Sequence, residues 1–154
     1  MSARARTAPV SLFLSVLLSS AALFGCGPTL VFPGGALDGT LRKPPAGWDF
    51  AIGIQTIQLE THPDDPYSVN LGCAVTGDAL YVSAGDNRAR WVDHIEADPR
   101  VRVRIDHGLY EMRAVRVEDR DELSAFGKAW TGKYSFGRDP TTLGEVFVYR
   151  LEPR

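Results

Sequence analysis

Residues 100–106 limit what this chain can fold into more than any other stretch. Val101, Val103 and Ile105 alternate with Arg100, Arg102 and Arg104. A period of two sends the apolar side chains to one face of a strand and the arginines to the other. A strand buried on one face only belongs to an antiparallel sheet, because parallel sheets are covered on both faces. The arginine row reads as a solvated face.

The surrounding pattern agrees. Residues 51–60 are rich in β-branched residues, with Ile52, Ile54, Thr56 and Ile57. His62-Pro63-Asp64-Asp65-Pro66 ends that run, since two prolines cannot sit inside a ladder. Residues 67–76 read as a second strand and 79–84 as a third, with Gly77-Asp78 as the hairpin signal between them. Asp86 is placed to cap a short helix over 87–97 that carries Trp91, Val92 and Ile95 on one face. Asp98-Pro99 ends it. Asp106-His107-Gly108 turns the chain into a strand over 109–118. Asp119 caps a second helix with Leu123, Phe126 and Trp130 spaced by three and four. A loop over 133–144 leads to a last strand, 145–151. The order β-β-β-α-β-β-α-β, with two short helices, predicts a mainly β protein: an antiparallel barrel of about six strands with two short crossover helices.

The N-terminus carries a different message. Arg4 and Arg6 precede an apolar run from Val10 to Phe24, which ends in Leu23-Phe24-Gly25-Cys26. A basic segment, a short apolar segment and a small residue before the cut make a secretory signal. The serine-rich run is short of the about 20 apolar residues that span a bilayer. Leu23-Phe24-Gly25-Cys26 resembles the lipobox of bacterial lipoproteins, in which the cysteine receives diacylglycerol. That resemblance implies cleavage before Cys26 and attachment to a membrane by lipid. Each buried methylene contributes about 0.8 kcal/mol, so several acyl chains hold a protein durably. In the lipoproteins that this segment resembles, Asp after the cysteine favours retention at the inner membrane; with Gly27 there, the resemblance implies the outer membrane, facing the periplasm, in an organism that has one. The expected organisation is therefore a signal peptide over 1–25, a Gly/Pro-rich tether over 26–47 with little regular structure, and a barrel domain over 48–154. Trp48 and Phe50 mark where packing begins.

Composition excludes some classes. Lysines and arginines number 17 against 19 acids, so no basic surface for nucleic acid is present. Of two cysteines, Cys26 is taken by the lipid and Cys73 is left without a disulfide partner. Without a CxxC pair or clustered histidines, no metal site is expected. His62, His94 and His107 show no spacing that supports a catalytic triad.

The residues Gly77-Asp78-Ala79-Leu80-Tyr81-Val82, then Ala97-Asp98-Pro99-Arg100-Val101 and Tyr110-Glu111-Met112-Arg113-Ala114, carry a family likeness. A "GD…LYV" hairpin strand, a helix ending in "A-(D/N)-P-x-V" and a strand near "YEGRARRV" resemble the split β-barrel of pyridoxamine-phosphate-oxidase-like proteins, flavin reductases and deazaflavin-dependent nitroreductases. The resemblance spans residues 51–151. It implies a cleft for FMN or a deazaflavin coenzyme, oxidoreductase chemistry carried by that cofactor, and pairing of two barrels as a homodimer. The cofactor-facing candidates are Ser68, Asn70, Ser83, Asn87, Arg88 and Trp91. Exposed N–H groups at a helix start favour anions, and Arg88 adds charge there. Each has a plainer reading: Asn87 as a cap, Arg88 as a solvated residue, Trp91 as core, Ser68 and Asn70 as an exposed barrel face. Lys133 and Tyr134, after the second helix, are placed to close over a site, with a solvated lysine as the plainer reading. Deazaflavin-dependent members carry a "GRxSG" turn where this chain has His62-Pro63-Asp64-Asp65-Pro66, so two acids stand where phosphate would be met. A second expectation is therefore a non-catalytic envelope lipoprotein that binds a small ligand or a protein partner.

Overall fold

The computed structural model describes residues 34–85, 88–135, 138–142 and 145–154. Cys26, the segment expected to be a signal peptide and Asn87 lie outside them, as does Asp86. Eight strands and two α-helices are present among the described residues: β1 (Thr40–Arg42), β2 (Ile57–Thr61), β3 (Tyr67–Leu71), β4 (Cys73–Thr76), β5 (Ala79–Gly85), α1 (Arg90–Ala97), β6 (Arg100–Ile105), β7 (Gly108–Arg116), α2 (Arg120–Lys133) and β8 (Phe147–Pro153). The sheet runs β3-β2-β6-β7-β8-β5-β4, and β1 joins the side of β7. Every pairing is antiparallel except that of β1 with β7.

The strands exceed the expected six for two reasons. The run 67–76 is two strands, broken at Gly72, and these stand at opposite ends of the sheet order. A chain that passes between the two ends through one residue forces the sheet to curl into a split barrel. Only glycine fits that corner: a Cβ there would lie 2.8 Å from Trp130 Cη2 and 2.9 Å from the Tyr134 hydroxyl. The other extra strand is β1, which comes from the segment expected to be an unstructured tether. The run 51–60 also becomes a strand only from Ile57, because residues 49–51 form a 3-10 turn.

One core fills the barrel. Val101, Val103 and Ile105 of β6 are buried in it with Leu59, Val69, Leu80, Val82, Met112 and Leu151, and α1 adds Trp91, Val92 and Ile95. Trp48 is buried there, edge-on to Tyr110, while Phe50 is exposed. Helix α2 covers the outer side of β4, β5 and β8, where Phe126 packs with Ala74, Tyr81, Val117 and Val148. Asp119 caps α2, accepting a hydrogen bond from the Glu122 backbone N–H at 2.8 Å. Helix α1 departs from expectation. It starts at Arg90, with Ala89 at its N-cap and no side-chain cap among the described residues. Its first turn is held by the Val92 N–H to the Ala89 carbonyl at 2.8 Å.

The arginine face of β6 is not a solvated row. Arg102 makes a bidentate pair with Glu60 across the β2–β6 ladder, at 2.6 and 2.7 Å. Glu60 is 3% exposed and also accepts from the Leu37 N–H. Arg104 donates to the Asp38 carbonyl at 3.1 Å, and the Thr40 N–H to that of His107 at 2.9 Å. Segment 34–42 is therefore bound to the outer face of the barrel, with Leu37 buried against it.

Candidate functional site

Strand β5 ends in an irregularity. Its register against β8 shifts between Ser83 and Gly85, and Gly85 has φ +64°. A bulge of this kind bends the strand and frees its end from the ladder. Four elements meet at this rim: the end of β5, the lead-in to α1, the end of β7 and the start of β8.

Ser83, Arg88 and Trp91 come together here. The Ser83 hydroxyl accepts the Gly85 N–H at 3.0 Å and so holds the bulge. Arg88 lies with its guanidinium 5.6 Å from the Phe147 ring centre and pairs with Asp93 at 2.7 Å and with Glu96. Trp91 is buried edge-on to Tyr149, centroids 5.8 Å apart. Arg116, from the end of β7, completes the group. Its guanidinium sits 4.3 Å from the Phe147 centroid and 5.6 Å from that of Tyr149, donates to the Val146 carbonyl and lies 3.8 Å from Glu96. Two guanidiniums thus lie against buried rings, with Asp93 and Glu96 beside them balancing their charge. The Tyr149 hydroxyl is buried with no hydrogen-bond partner among the described residues. Burial pushes its pKa above the ordinary range, against the pull of Arg116. A buried hydroxyl without a partner is costly and calls for an explanation.

Ser68 and Asn70 lie elsewhere. They share the outer face of β3, opposite Glu60 and Gln58 of β2. Ser68 is buried beneath Gly34, whose backbone pairs with it in both directions at 2.8 and 2.9 Å. A Cβ on Gly34 would stand 2.6 Å from the Ser68 Oγ, so no room for a ligand remains between them. Asn70 is exposed. The nearby cleft, about 290 Å³, is lined by Glu60, Arg100, Arg102, Glu111 and Arg154 among others. Each of its arginines already faces an acid: Arg100 with Asp98, Arg102 with Glu60, Arg154 with Glu111.

Lys133 and Tyr134 do not close over a site. They bind the corner at Gly72. The Lys133 Nζ donates to the Ala51 and Cys73 carbonyls at 3.2 and 2.9 Å, and the Tyr134 hydroxyl to that of Gln55 at 2.7 Å. Cys73 is a buried free thiol. Burial raises its pKa, with Lys133 opposing, so it stays protonated and unreactive.

Sequence reading missed Arg116, Phe147 and Tyr149. Arg116 stands at the end of a strand whose pattern speaks only of one buried face, and Tyr149 reads as an ordinary inward residue. Their meeting with Arg88 depends on β8 lying between β7 and β5, which no local pattern shows.

No protein-family model matches the chain, and no curated protein matches it in sequence. Solved structures do. A conserved hypothetical protein from Mycobacterium tuberculosis aligns with TM-score 0.58 at 20% identity, covering 69% of this chain and 77% of that one. A Listeria innocua protein described as a candidate pyridoxamine 5'-phosphate oxidase aligns with TM-score 0.53 at 18% identity, covering 68% and 90%. The heme storage protein HutZ from Vibrio cholerae aligns with TM-score 0.51 at 18% identity, covering 65% and 82%. The chain thus shares the split-barrel fold of these solved structures. Fold does not fix the ligand: one of these names speaks of pyridoxamine 5'-phosphate and another of heme.

Proposed function

We propose that this chain is an envelope lipoprotein whose split barrel binds a flavin-type cofactor, FMN or a deazaflavin coenzyme, at the β5–α1 rim and serves oxidoreductase chemistry. One observation carries the reading. Arg88 and Arg116 bring two ion-paired guanidiniums against Phe147, beside the buried Tyr149 hydroxyl, which has no hydrogen-bond partner among the described residues. The rim fits a planar anionic group. Arg88 and Arg116 would hold its charge, the guanidinium faces its ring, and the buried aromatic floor would keep the surface flat. The cofactor would supply electron transfer through its ring, while the protein orients it and sets its electrostatics. To bind phosphate, Arg88 has to leave Asp93 and Glu96, which are exposed enough to take water in its place.

A second reading has an observation of its own. Arg88 and Arg116 already face Asp93 and Glu96, and the arginines of the 290 Å³ cleft face acids too, which favours a non-catalytic lipoprotein for a neutral ligand or a protein partner. The visible absorbance spectrum of the purified protein separates the two. A retained flavin-type band supports the first reading; a colourless protein that gains no band on adding FMN or deazaflavin supports the second.

The anchor is part of the same proposal. Leu23-Phe24-Gly25-Cys26 after an apolar run supports lipid attachment at Cys26 and a place on the outer membrane facing the periplasm. Metabolic labelling with a fatty acid is expected to mark the wild type and not Cys26→Ser. Equal labelling of both would remove the anchor from the account.

A further inference from the structure

At the other end of α1 the fold assembles two histidines that the sequence keeps far apart. His62 follows β2 and His94 lies on α1, yet their ring centroids stand 4.9 Å apart with the planes tilted by 33°. Both are half-buried.

The hydrogen bonds around them fix which nitrogen carries the proton. His62 Nδ1 faces the Asp65 carbonyl at 2.8 Å. A carbonyl only accepts, so Nδ1 must be the N–H. His94 Nδ1 faces the Thr61 Oγ1 at 3.0 Å, and Thr61 spends its own proton on the Tyr67 carbonyl at 3.3 Å. In that arrangement the Thr61 oxygen accepts from His94 Nδ1–H, the tautomer that leaves Nε2 open to a metal. Each ring therefore presents a lone pair at Nε2, and among the described residues neither Nε2 has a hydrogen-bond partner. Metal-binding imidazoles are typically held in this way, with the far N–H bonded to a carbonyl or another oxygen.

We propose that His62 and His94 form a two-imidazole site for a divalent transition-metal ion of the zinc, nickel or copper class, completed by water. The spacing agrees. Two imidazoles bound through Nε2 at about 2.0–2.1 Å to one tetrahedral ion place their centroids roughly 5 Å apart. His62 also holds a positive φ of 58°, a conformation uncommon outside glycine and asparagine, which sets its ring across from His94. The Arg90 guanidinium is turned over the Tyr67 ring at 5.1 Å. Imidazole pairs with open positions suit zinc, nickel and copper, with copper bound most tightly.

The test is calorimetric titration of the untagged full-length chain in detergent with zinc chloride, beside His62→Asn and His94→Gln. Asparagine tolerates the positive φ at residue 62 and lies outside the core, so that variant keeps the fold even if His94→Gln does not. The expected result is one ion per chain at micromolar affinity, weakened about tenfold or more in His62→Asn. Copper loaded in place of zinc is expected to show coupling to two imidazole nitrogens by electron paramagnetic resonance, and to one in His62→Asn. No saturable binding below the millimolar range, equal binding by wild type and His62→Asn, or a copper spectrum without imidazole nitrogen would overturn the proposal. None of these outcomes depends on whether the β5–α1 rim takes a flavin.

Discussion

At the scale of single residues, Gly72 decides the architecture. It is the one residue between β3 and β4, and its missing side chain lets Trp130 and Tyr134 close on the corner. Gly72→Ala adds a methyl that meets an indole and a hydrogen-bonded phenol, neither able to move without breaking a contact. Overpacking of this kind costs about 1–3 kcal/mol, and the lost ties of Tyr134 to Gln55 and Cys73 add to it. Denaturant unfolding should show a midpoint shift of that size; an unchanged midpoint would mean the corner has slack. Glu60 is the counterpart among charges. A carboxylate 3% exposed is held by Arg102 on one side and the Leu37 N–H on the other, which is how a buried charge is normally satisfied.

At the scale of elements, what the sequence shows and what it hides divide along one line. The alternation in β6, the Gly77-Asp78 hairpin and the Asp119 cap are set by neighbours in the chain, and all three stand in the structure. The break at Gly72, the strand β1 and the rim at Arg116 are set by partners distant in sequence. A β-rich run such as 67–76 looks the same whether or not its halves join different ends of a sheet. Likewise, the glycines and prolines of 27–47 are common to linkers and to segments bound by their backbones. Of the six cofactor-facing candidates, three meet at the rim, two lie on the outer face of β3 and Asn87 is outside the described residues. Segment 34–42 carries a clear prediction. It supplies β1, buries Leu37 and satisfies Glu60, so deleting it leaves a carboxylate with only Arg102 and exposes β7 at Gly108–Tyr110. The loss of Leu37 alone is comparable to a Leu→Ala change, about 2–5 kcal/mol. Thermal unfolding of the deletion variant should fall by many degrees, whereas deletion confined to 27–33 should leave it unchanged. Equal stability of both variants would show that the segment rests on the barrel without holding it.

At the scale of the whole molecule, the split barrel carries a charged rim assembled from β5, α1, β7 and β8. The barrel core is apolar and continuous, so the rim can change its ion pairs without disturbing the fold. Arg88 and Arg116 are anchored to the frame at Phe147 rather than by their acids alone, and replacing either leaves Val92, Ile95 and Tyr149 in place. The measurement that bears most directly on the central claim is therefore titration of the purified protein with FMN and with a deazaflavin coenzyme, wild type beside Arg88→Ala and Arg116→Ala. A charged hydrogen bond to a phosphate is worth about 1.5–3 kcal/mol, and about 1.4 kcal/mol is a factor of ten in affinity. The account predicts saturable binding by the wild type well below the millimolar range, weakened about tenfold or more by each substitution. Binding of neither ligand below the millimolar range by the wild type would contradict it and leave the split barrel a scaffold for some other ligand.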